Sequence, residues 1–327
     1  MLKKRWEVMV MKHIFILNPA AGQADSTQAT AEKIRAVFGA QAHIHYTTGV
    51  GDATSFVKQY ASEHSDESLR FYACGGDGTL CEVVNGAYGF ENVAVGLIPV
   101  GTGNDFVRNF EHTEQFHSIE AQKEGREVTI DLLRCNDRYC VNMINTGFDC
   151  EVVGSMVKIK RHVPAGMAYV LGVVIQLLKM PGATMDVTVD GEPVECGEKL
   201  LCAIANGGYY GGGFHPLPQA STNDGYLDMC LVNRVSRARF LSLIGSYKKG
   251  THLNPKTVDV IDCFHARRVT LEFPEPRFVS MDGELLKMQR CDLELLPSAL
   301  RFVVPMGSKP CGECAEQAET AAVGGAR

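Results

Sequence analysis

The sequence has no excess of positive charge. Its 327 residues include 32 Lys and Arg against 38 Asp and Glu, which gives a formal net charge of −6. Proteins that bind nucleic acid hold the phosphate backbone through clustered Lys and Arg, so this balance argues against nucleic acid as a partner. It does not exclude a membrane surface, because a local basic patch is enough for that contact.

The chain also lacks an apolar run long enough to span a bilayer. The longest, VPAGMAYVLGVVIQLLKMP from Val163 to Pro181, is bounded by prolines and is shorter than the roughly 20 residues a spanning helix needs. It predicts a buried or surface-docking helix. The N-terminus begins with basic and then apolar residues, but Lys12 and His13 interrupt the run and no small-residue cleavage site follows. The segment HIFILNP therefore predicts a first buried strand.

The 12 cysteines form no recognisable framework. Several, such as Cys74, Cys202 and Cys230, lie in apolar segments, where free cysteine packs as a small hydrophobe. We therefore expect a reducing cytoplasm and no structural disulfides. Cys311 and Cys314 form a C-x-x-C pair, but a zinc site needs a second pair of ligands and the tail offers none.

The length suits two domains, and the pattern of the first is α/β. Strand-like segments alternate with segments of helical periodicity up to PVG at residues 99–101, which predicts a parallel sheet with helices on both faces. Ligands of such sheets bind beyond the carboxyl ends of the strands. Four glycine-bearing loops fall at those ends: NPAAG, TTGVGDA, GGDGT and PVGTGNDF.

The pattern changes near Asp131 to short alternating strands separated by turn signals such as Asp190-Gly191 and Asp282-Gly283. This predicts an antiparallel β-sandwich with inserted helices, one over residues 165–179 and another within SRARFLSLIGSYKKG. The resulting division is an α/β domain at 11–133, a β-rich domain at 134–305 and a disordered tail at 306–327, which has no periodicity.

The loop CGGDGT is the clearest chemical signal in the chain. Three glycines surround Asp77 just before an apolar-periodic segment. Glycines let a backbone come close to phosphate oxygens, Thr79 can add a hydroxyl donor, and an aspartate can face the metal of a nucleotide. The alternative is a strand-to-helix turn in which Asp77 only caps the helix.

CGGDGTLCEVVNG followed by PVGTGNDFVRN resembles the diacylglycerol kinase catalytic-domain family, which includes soluble bacterial lipid kinases and is related to sphingosine and ceramide kinases. Further segments match in the family's order: LNPAAG, NTGFDCEVV, AYVLG, ANGGYYGGGFHPLPQAS, DGYLD and SMDGE. The resemblance covers residues 11–305. The GGDG loop alone is less specific, because NAD kinases and phosphofructokinases carry a similar loop.

The resemblance implies ATP and Mg²⁺ as cofactors, with Asp77 facing the metal-bound nucleotide. Asn104 and Asp105 either belong to this site or cap the next helix. Thr48 is an alternative to Thr47, since the loop spacing is ambiguous. The positions that match nucleotide contacts are Asn18, Pro19, Gly22, Thr47, Gly75, Gly76, Gly78, Thr79, Gly101 and Thr102.

The resemblance also assigns a general base. It places that base at Glu284 in SMDGE, with Asp282 sharing the role, where a carboxylate would accept the proton of the attacking hydroxyl. Taken without the resemblance, Asp282-Gly283 is simply a hairpin turn.

A third acidic loop, QASTNDGYLD, implies a structural Mg²⁺ bound by Asp224 and by the backbone carbonyls of Ser221 and Tyr226. The family often has a second acid before this aspartate, and here Asn223 stands in its place. The alternative is an Asp-Gly turn with Asp228 exposed.

We therefore expect an ATP- and Mg²⁺-dependent kinase that phosphorylates diacylglycerol to phosphatidic acid. Alternatives are a sphingoid base, ceramide or monoacylglycerol as acceptor, NAD kinase, or a non-catalytic nucleotide or lipid sensor. The expected location is the cytoplasm, in peripheral contact with the inner face of the membrane through the apolar helix and a basic patch. The alternative is that these basic residues are a solvated charge run beside a core helix. Exposed sheet edges are compatible with a homodimer. The basic residues are Lys158, Lys160, Arg161 and His162.

Overall fold

The computed structural model describes residues 11–22, 24–101, 103–159, 165–180, 182–194, 197–255, 257 and 259–311. The first part alternates strands and helices, as the sequence predicts. Its elements are β1 (Met11–Leu17), α1 (Ala24–Phe38), β2 (Ala42–Tyr46), α2 (Asp52–Glu63), β3 (Ser68–Gly75), α3 (Asp77–Ala87) and β4 (Val93–Pro99).

The four strands are parallel and lie in the order β4-β3-β1-β2, which confirms the α/β prediction. Every residue of β4 is buried, as expected for a parallel strand covered on both faces. Gly51, with φ 82°, precedes α2, so Asp52 lies inside the first turn instead of capping it. Helix α3 begins at Asp77, before the apolar periodicity starts at Leu80.

Short elements lead from the first domain into a β-rich second domain. They begin with two 3-10 helices, Phe106–Asn109 and Thr113–His117, which flank β5 (Phe110–Glu111), and with α4 (Ile119–Lys123). The elements that follow are β6 (Arg126–Cys135), β7 (Arg138–Cys140), β8 (Met143–Gly147), α5 (Phe148–Ile159), α6 (Ala165–Lys179), β9 (Ala183–Thr184), β10 (Asp186–Val189), β11 (Glu192–Val194), β12 (Glu198–Ala205), β13 (Leu227–Asn233), α7 (Arg237–Lys249), β14 (Ile261–Ala266), β15 (Arg268–Met281), β16 (Glu284–Val304) and β17 (Lys309–Pro310).

The second domain is an antiparallel β-sandwich with inserted helices, which confirms that part of the predicted fold class. Strands β14, β13, β12, β8, β15 and β16 follow one another through antiparallel pairings. The two predicted inserted helices are present: α6 spans the predicted residues, and α7 begins after Ser236, whose side chain accepts the N–H of Arg239. Gly250, with φ 71°, ends α7 as a left-handed cap.

Strand β16 connects the two domains. Its first part pairs with β15 in the sandwich, and near its end Arg301 and Phe302 pair in parallel with Ala94 and Val95 of β4. The sheet of the first domain therefore continues into the sandwich. The expected domain boundary between residues 133 and 134 falls inside β6, which pairs with β16 in antiparallel register.

Aromatic packing and an ion-pair cluster hold this junction. The ring of Phe302 lies 5.3 Å from that of Phe106 and 5.5 Å from that of Phe110, centroid to centroid, and Phe302 is fully buried. Beside it, Glu127 accepts hydrogen bonds from Arg70 and Arg301. Burial opposes its ionisation, but these two guanidinium groups hold the pKa of Glu127 below its ordinary value.

The chain remains ordered beyond the sandwich. The N–H of Met306 bonds to the carbonyl of Ala121, and β17 pairs with β5. The expected disorder therefore does not begin at residue 306, because this backbone finds partners on the first domain. The rest of the tail, including Cys314, lies outside the described residues.

In the part of the chain that the structure describes, no helix has the length and apolar character needed to cross a bilayer. Helix α6 comes nearest in composition and has 15 residues.

We predict that Phe302→Ala destabilises the protein by about 3–5 kcal/mol, because a buried aromatic ring at the junction is replaced by a cavity. Urea unfolding followed by circular dichroism measures this loss. Leu178→Ala is the matched control, since that side chain is 65% exposed and its removal is expected to change the unfolding free energy by less than about 0.5 kcal/mol. Equal stabilities of the two variants would contradict the assignment of the junction.

Candidate active site

The loop between β3 and α3 is packed so closely that two of its glycines have no room for a side chain. A Cβ on Gly75 would overlap the hydroxyl group of Thr79, and one on Gly76 would lie 2.5 Å from the carbonyl oxygen of Gly103. A Cβ on Gly78 would meet nothing within 4 Å, so packing does not require glycine there. Gly76 is thus needed for the approach of the loops after β3 and β4, and Gly75 leaves room for the side chain of Thr79.

Asp77 links these two loops. It is the first residue of α3, and its carboxylate accepts the backbone N–H of Asp105 at 2.8 Å and of Phe106 at 3.1 Å. Burial raises the pKa of Asp77 to about 6, although these hydrogen bonds favour the charged form. The residue before it, Gly76, occupies the N-cap position, so Asp77 does not cap its own helix.

The first glycine loop lies against the same helix. Asn18 donates from Nδ2 to Oγ1 of Thr79 at 3.0 Å, and its Oδ1 accepts the N–H of Ala20. Pro19 and Gly22 lie in this loop, where Gly22 has φ 75°. The structure therefore brings the loops after β1 and β3 together, as the sequence predicts for neighbouring parallel strands.

The loop after β4 completes this edge. A Cβ on Gly101 would lie 2.6 Å from Cα of Gly76, and Nδ2 of Asn104 bonds to the carbonyl of Gly101. Asn104 thus braces its own loop, and neither it nor Asp105 makes a side-chain capping bond to the following 3-10 helix. Thr102 lies outside the described residues.

The two threonines after β2 differ in their bonding. Both the N–H and the hydroxyl of Thr48 bond to the carboxylate of Asp52, at 2.6 and 2.8 Å. The N–H of Thr47 instead bonds to the carbonyl of Leu17 at the end of β1. Thr48 therefore fastens the start of α2, and Thr47 stands at the edge where the other loops meet.

The SMDGE segment forms the hairpin between β15 and β16. Asp282 has φ 46° and Gly283 has φ 89°, the two positive angles of a type I′ turn. The Asp282 side chain is 7% exposed, and its carboxylate accepts the N–H groups of residues 141, 142 and 143 at 2.8–3.0 Å together with the thiol of Cys140. Burial raises the pKa of Asp282 in spite of these donors.

Glu284, two residues later, is exposed. Arg138 of β7 donates to its Oε2 at 2.9 Å, and each of the two side chains is close to half exposed. Sequence reasoning missed Arg138, because no motif connects it with a carboxylate so far along the chain. The two acids of the turn thus have different environments, one enclosed by donors and the other open to the cleft.

The turn of Asp282 and Glu284 lies close to α3 of the first domain, and we call the region between them the cleft. The charge of Asp282 contributes to the raised pKa of Asp77, and burial together with the charges of Asp282 and Glu284 raises the pKa of the Cys81 thiol on α3. Asn85, also on α3, donates to the carbonyl of Tyr139 and accepts its N–H, at 2.7 and 3.0 Å. The helix that begins at Asp77 therefore lies directly against the strand that carries Arg138.

Further polar contacts join the domains beside the cleft, through the loop ANGGYYGGGF. Asp105 accepts the N–H of Gly212, and Asn109 accepts the N–H of Gly208. Asn142 donates to the carbonyl of Tyr209. Asp105 therefore joins the loop after β4 to the second domain. Asn109 and Asn142 were missed, since single amides in a sequence carry no signal of such pairing.

The third acidic loop lies away from the Asp282 turn, before β13. Asp224 is exposed and accepts the N–H of Tyr226 at 3.0 Å, while the hydroxyl of Ser221 bonds to Asn223. The structure adds two residues that the resemblance did not supply: ligand atoms of Asp224, Asp228 and His265 lie within 4.8 Å of one another.

This loop has a donor set suited to a hard cation. Asp228 is not exposed as the turn interpretation expected; its side chain is 15% exposed, and burial raises its pKa. His265 lies 3.3 Å from Asp228 and opposes this effect. Two carboxylates at one loop fit Mg²⁺.

Comparison with known proteins gives a consistent result. Residues 12–135 match the family model described as diacylglycerol kinase catalytic domain, and residues 142–304 match the one described as YegS C-terminal NAD kinase beta sandwich-like domain. The two models together span both domains of the fold.

The chain is 27% identical to the diacylglycerol kinase of Bacillus subtilis over 274 residues, which cover 82% of this chain and 88% of the relative. It is 29% identical to a Salmonella gallinarum protein assigned as the lipid kinase YegS, over 82% of this chain and 87% of the relative. A crystal structure of a Bacillus anthracis protein assigned as a diacylglycerol kinase superposes with a TM-score of 0.73 at 25% identity, covering 92% of this chain and 99% of the other.

The ordered motifs, the two-domain fold and these matches agree over almost the whole described chain. The protein belongs to the diacylglycerol kinase catalytic-domain family and is a lipid kinase.

Proposed function

We propose that this lipid kinase transfers the γ-phosphoryl group of ATP to the hydroxyl of diacylglycerol and so forms phosphatidic acid. The observation that carries the proposal is an exposed carboxylate, Glu284, whose partner Arg138 lies on β7, the strand that is hydrogen-bonded to the helix beginning at Asp77. Phosphoryl transfer depends mainly on positioning and charge stabilisation, and this arrangement supplies both.

The nucleotide would lie at the edge formed by the loops after β1, β3 and β4. Backbone N–H groups there would bind phosphate oxygens, and Asp77 would attract the magnesium ion. When bound, Mg²⁺ would neutralise charge on the phosphates. Gly76 supports this role by letting the loops after β3 and β4 pack closely against each other.

Glu284 would act as the general base and accept the proton of the acceptor hydroxyl. Arg138 donates to Oε2 of Glu284 and so fixes the orientation of the carboxylate. Among the described residues, none bonds to the other oxygen, Oε1. That oxygen is where we place the substrate hydroxyl.

Asp282 would support the base without taking part in the chemistry. Its carboxylate already accepts four donors, which leaves no oxygen directed at a substrate. It holds the segment from Cys140 to Met143, and with it β7 and Arg138. The proposal therefore gives Asp282, expected to share the role of the base, a positioning role instead.

An apolar cavity in the second domain would receive only the end of an acyl chain, because its volume is about 40 Å³. It lies between α7 and the sheet, where β12 is two strands from the β15 hairpin that carries the turn. Aliphatic side chains dominate its wall, which favours a lipid acceptor over a nucleotide such as NAD. The lining includes Leu200, Leu201, Val232, Val235, Phe240, Leu243, Ile244 and Ile261.

The membrane contact would involve the helices beside this cavity. Leu171, Val174 and Leu178 on α6 and Leu241 on α7 expose 39–65% of their surfaces. Exposed aliphatic side chains on neighbouring helices suit the interfacial region of a bilayer. Of the basic residues expected there, Lys160, Arg161, His162 and the side chain of Lys158 lie outside the described residues.

The test is phosphate transfer from radiolabelled Mg²⁺-ATP to a panel of acceptors in mixed micelles: diacylglycerol, monoacylglycerol, ceramide, sphingosine and NAD. We expect label in phosphatidic acid. Label only in another lipid would retain the mechanism and overturn the substrate. Label in NADP would contradict a lipid acceptor.

Glu284→Gln in the same assay is expected to lower kcat by about 10²–10⁴-fold, since the amide cannot accept the proton. The affinity for Mg²⁺-ATP, measured by calorimetry, should remain nearly unchanged. Glu272→Gln is a suitable control, because Glu272 lies on β15 and is an exposed ion-pair partner of Arg290. Full turnover by the Glu284 variant would overturn the assignment of the base.

Asp282→Asn is expected to destabilise the fold by about 2–4 kcal/mol, because the amide NH₂ would face backbone donors where the carboxylate now accepts them. Urea unfolding tests this directly, with Glu284→Gln as the matched control two residues away. If Asp282→Asn unfolds like the wild type and only loses turnover, the carboxylate is catalytic and its positioning role is wrong.

Nucleotide affinity should depend on pH through Asp77. The carboxylate must be charged to attract Mg²⁺, and its pKa is about 6, so affinity should fall by up to about tenfold per unit as the pH drops below that value. The γ-phosphate of ATP titrates in the same range. Asp77→Asn, titrated in parallel, supplies the baseline: its affinity should be weaker, and the ratio of the two affinities should shrink toward low pH. A constant ratio would exclude Asp77 from the metal site.

A further inference from the structure

Two cysteines of the second domain stand directly opposite each other on neighbouring strands. Cys230 of β13 pairs with Cys263 of β14 in the antiparallel register. Cys202 on the next strand pairs with Leu231, so its side chain lies on the other face of the sheet. Cys230 and Cys263 are therefore each other's facing partners.

The hydrogen-bond pattern defines which kind of pair they form. The N–H of Asn233 bonds to the carbonyl of Val260 at 2.7 Å, so the pair 233/260 is hydrogen-bonded. Bonded and non-bonded pairs alternate along an antiparallel ladder. Three positions further, the pair 230/263 is thus non-hydrogen-bonded, with Cα atoms about 4.5 Å apart.

The next pair without backbone hydrogen bonds on the same face of β13 and β14 agrees with this assignment. Asp228 faces His265, and their side chains approach to 3.3 Å. A disulfide requires Cα atoms about 4.4–6.8 Å apart, so the spacing of a non-bonded pair permits one without movement of the strands.

The two thiols differ in access to solvent. Cys263 is exposed, whereas Cys230 is fully buried beside it. An accessible thiol beside a second thiol is the arrangement of a redox-sensitive pair.

We propose that Cys230 and Cys263 form a peroxide-reactive dithiol that closes into a reversible cross-strand disulfide, with Cys263 as the attacking thiol and Cys230 as the resolving one. The proposal rests on the register and exposure of the pair and does not depend on the identity of the lipid substrate.

The chemistry needs one molecule of a peroxide. The Cys263 thiolate attacks a peroxide oxygen, the O–O bond breaks, and the sulfur is oxidised to a sulfenic acid as hydroxide leaves. The Cys230 sulfur then attacks that sulfenic sulfur, the S–O bond breaks as the S–S bond forms, and the hydroxyl group leaves with the Cys230 proton as water. In sum, two thiols lose two electrons and two protons, and hydrogen peroxide becomes two molecules of water.

The disulfide would lie beside the apolar cavity. Val232 and Ile261, two residues from the cysteines, are the next pair on the same face and line that cavity. Tyr247 of α7, another lining residue, is close enough for the Cys230 thiol to contribute to its raised pKa. Oxidation would therefore cross-link β13 and β14, two of the strands that line the cavity.

The test treats the full native chain with excess hydrogen peroxide, blocks remaining thiols, and maps peptides by mass spectrometry without reduction. We expect a peptide pair joining Cys230 and Cys263, a loss of about two thiols per chain, and full recovery with dithiothreitol. Cys311→Ser, which removes another exposed thiol, should leave the linked pair unchanged, and Cys263→Ser should abolish it.

Cys230→Ser gives a second, independent readout. Without its resolving partner, Cys263 should accumulate as a sulfenic acid that dimedone traps, whereas the native chain should trap little. The proposal is overturned if native Cys263 proceeds to sulfinic acid while Cys230 stays reduced, or if it links instead to Cys311 or to a second chain.

Discussion

The buried carboxylate of Asp282 is the contact on which the cleft depends. It accepts the N–H groups of three consecutive residues, 141–143, from a segment 139–141 positions earlier in the chain. A single side chain thereby fixes the start of β8, the end of β7 and the turn that carries Glu284. Because a buried carboxylate is costly unless it is fully hydrogen-bonded, the segment around residues 140–143 and the turn can be stable only together.

The second constraint is the close approach of two glycine loops in the first domain. Gly76 and Gly101 approach so closely that neither has room for a Cβ, and the Asp77 carboxylate then bonds across to the N–H groups of Asp105 and Phe106. The cost of burying this charge appears as its raised pKa. A carboxylate whose charge is disfavoured by its own fold gains most from a nearby cation, which fits the proposed attraction of Mg²⁺.

The sequence predicts features that a short segment encodes. It does not predict the contacts between segments that lie far apart in the chain. Alternating strands and helices, the Asp-Gly turns and the glycine loops are local patterns, and the resemblance placed Glu284 on an exposed turn. The partner of Glu284 is 146 residues away, and nothing near Arg138 marks it. Likewise, no pattern separates the enclosed Asp282 from the open Glu284, because the difference lies in the backbone donors of another strand.

Strand β16 couples these two constraints mechanically. It begins at Glu284, and near its other end it pairs with β4, which leads directly into the loop of Gly101. Any change in the angle between the domains must therefore bend this strand. Its pairing with β6 shifts register between Leu296 and Leu300, where Ser298 has φ 50° and donates its N–H to Asp131. A ladder that is already interrupted bends at lower cost than a regular one, and this shift lies between the pairing of β16 with β15 and its pairing with β4.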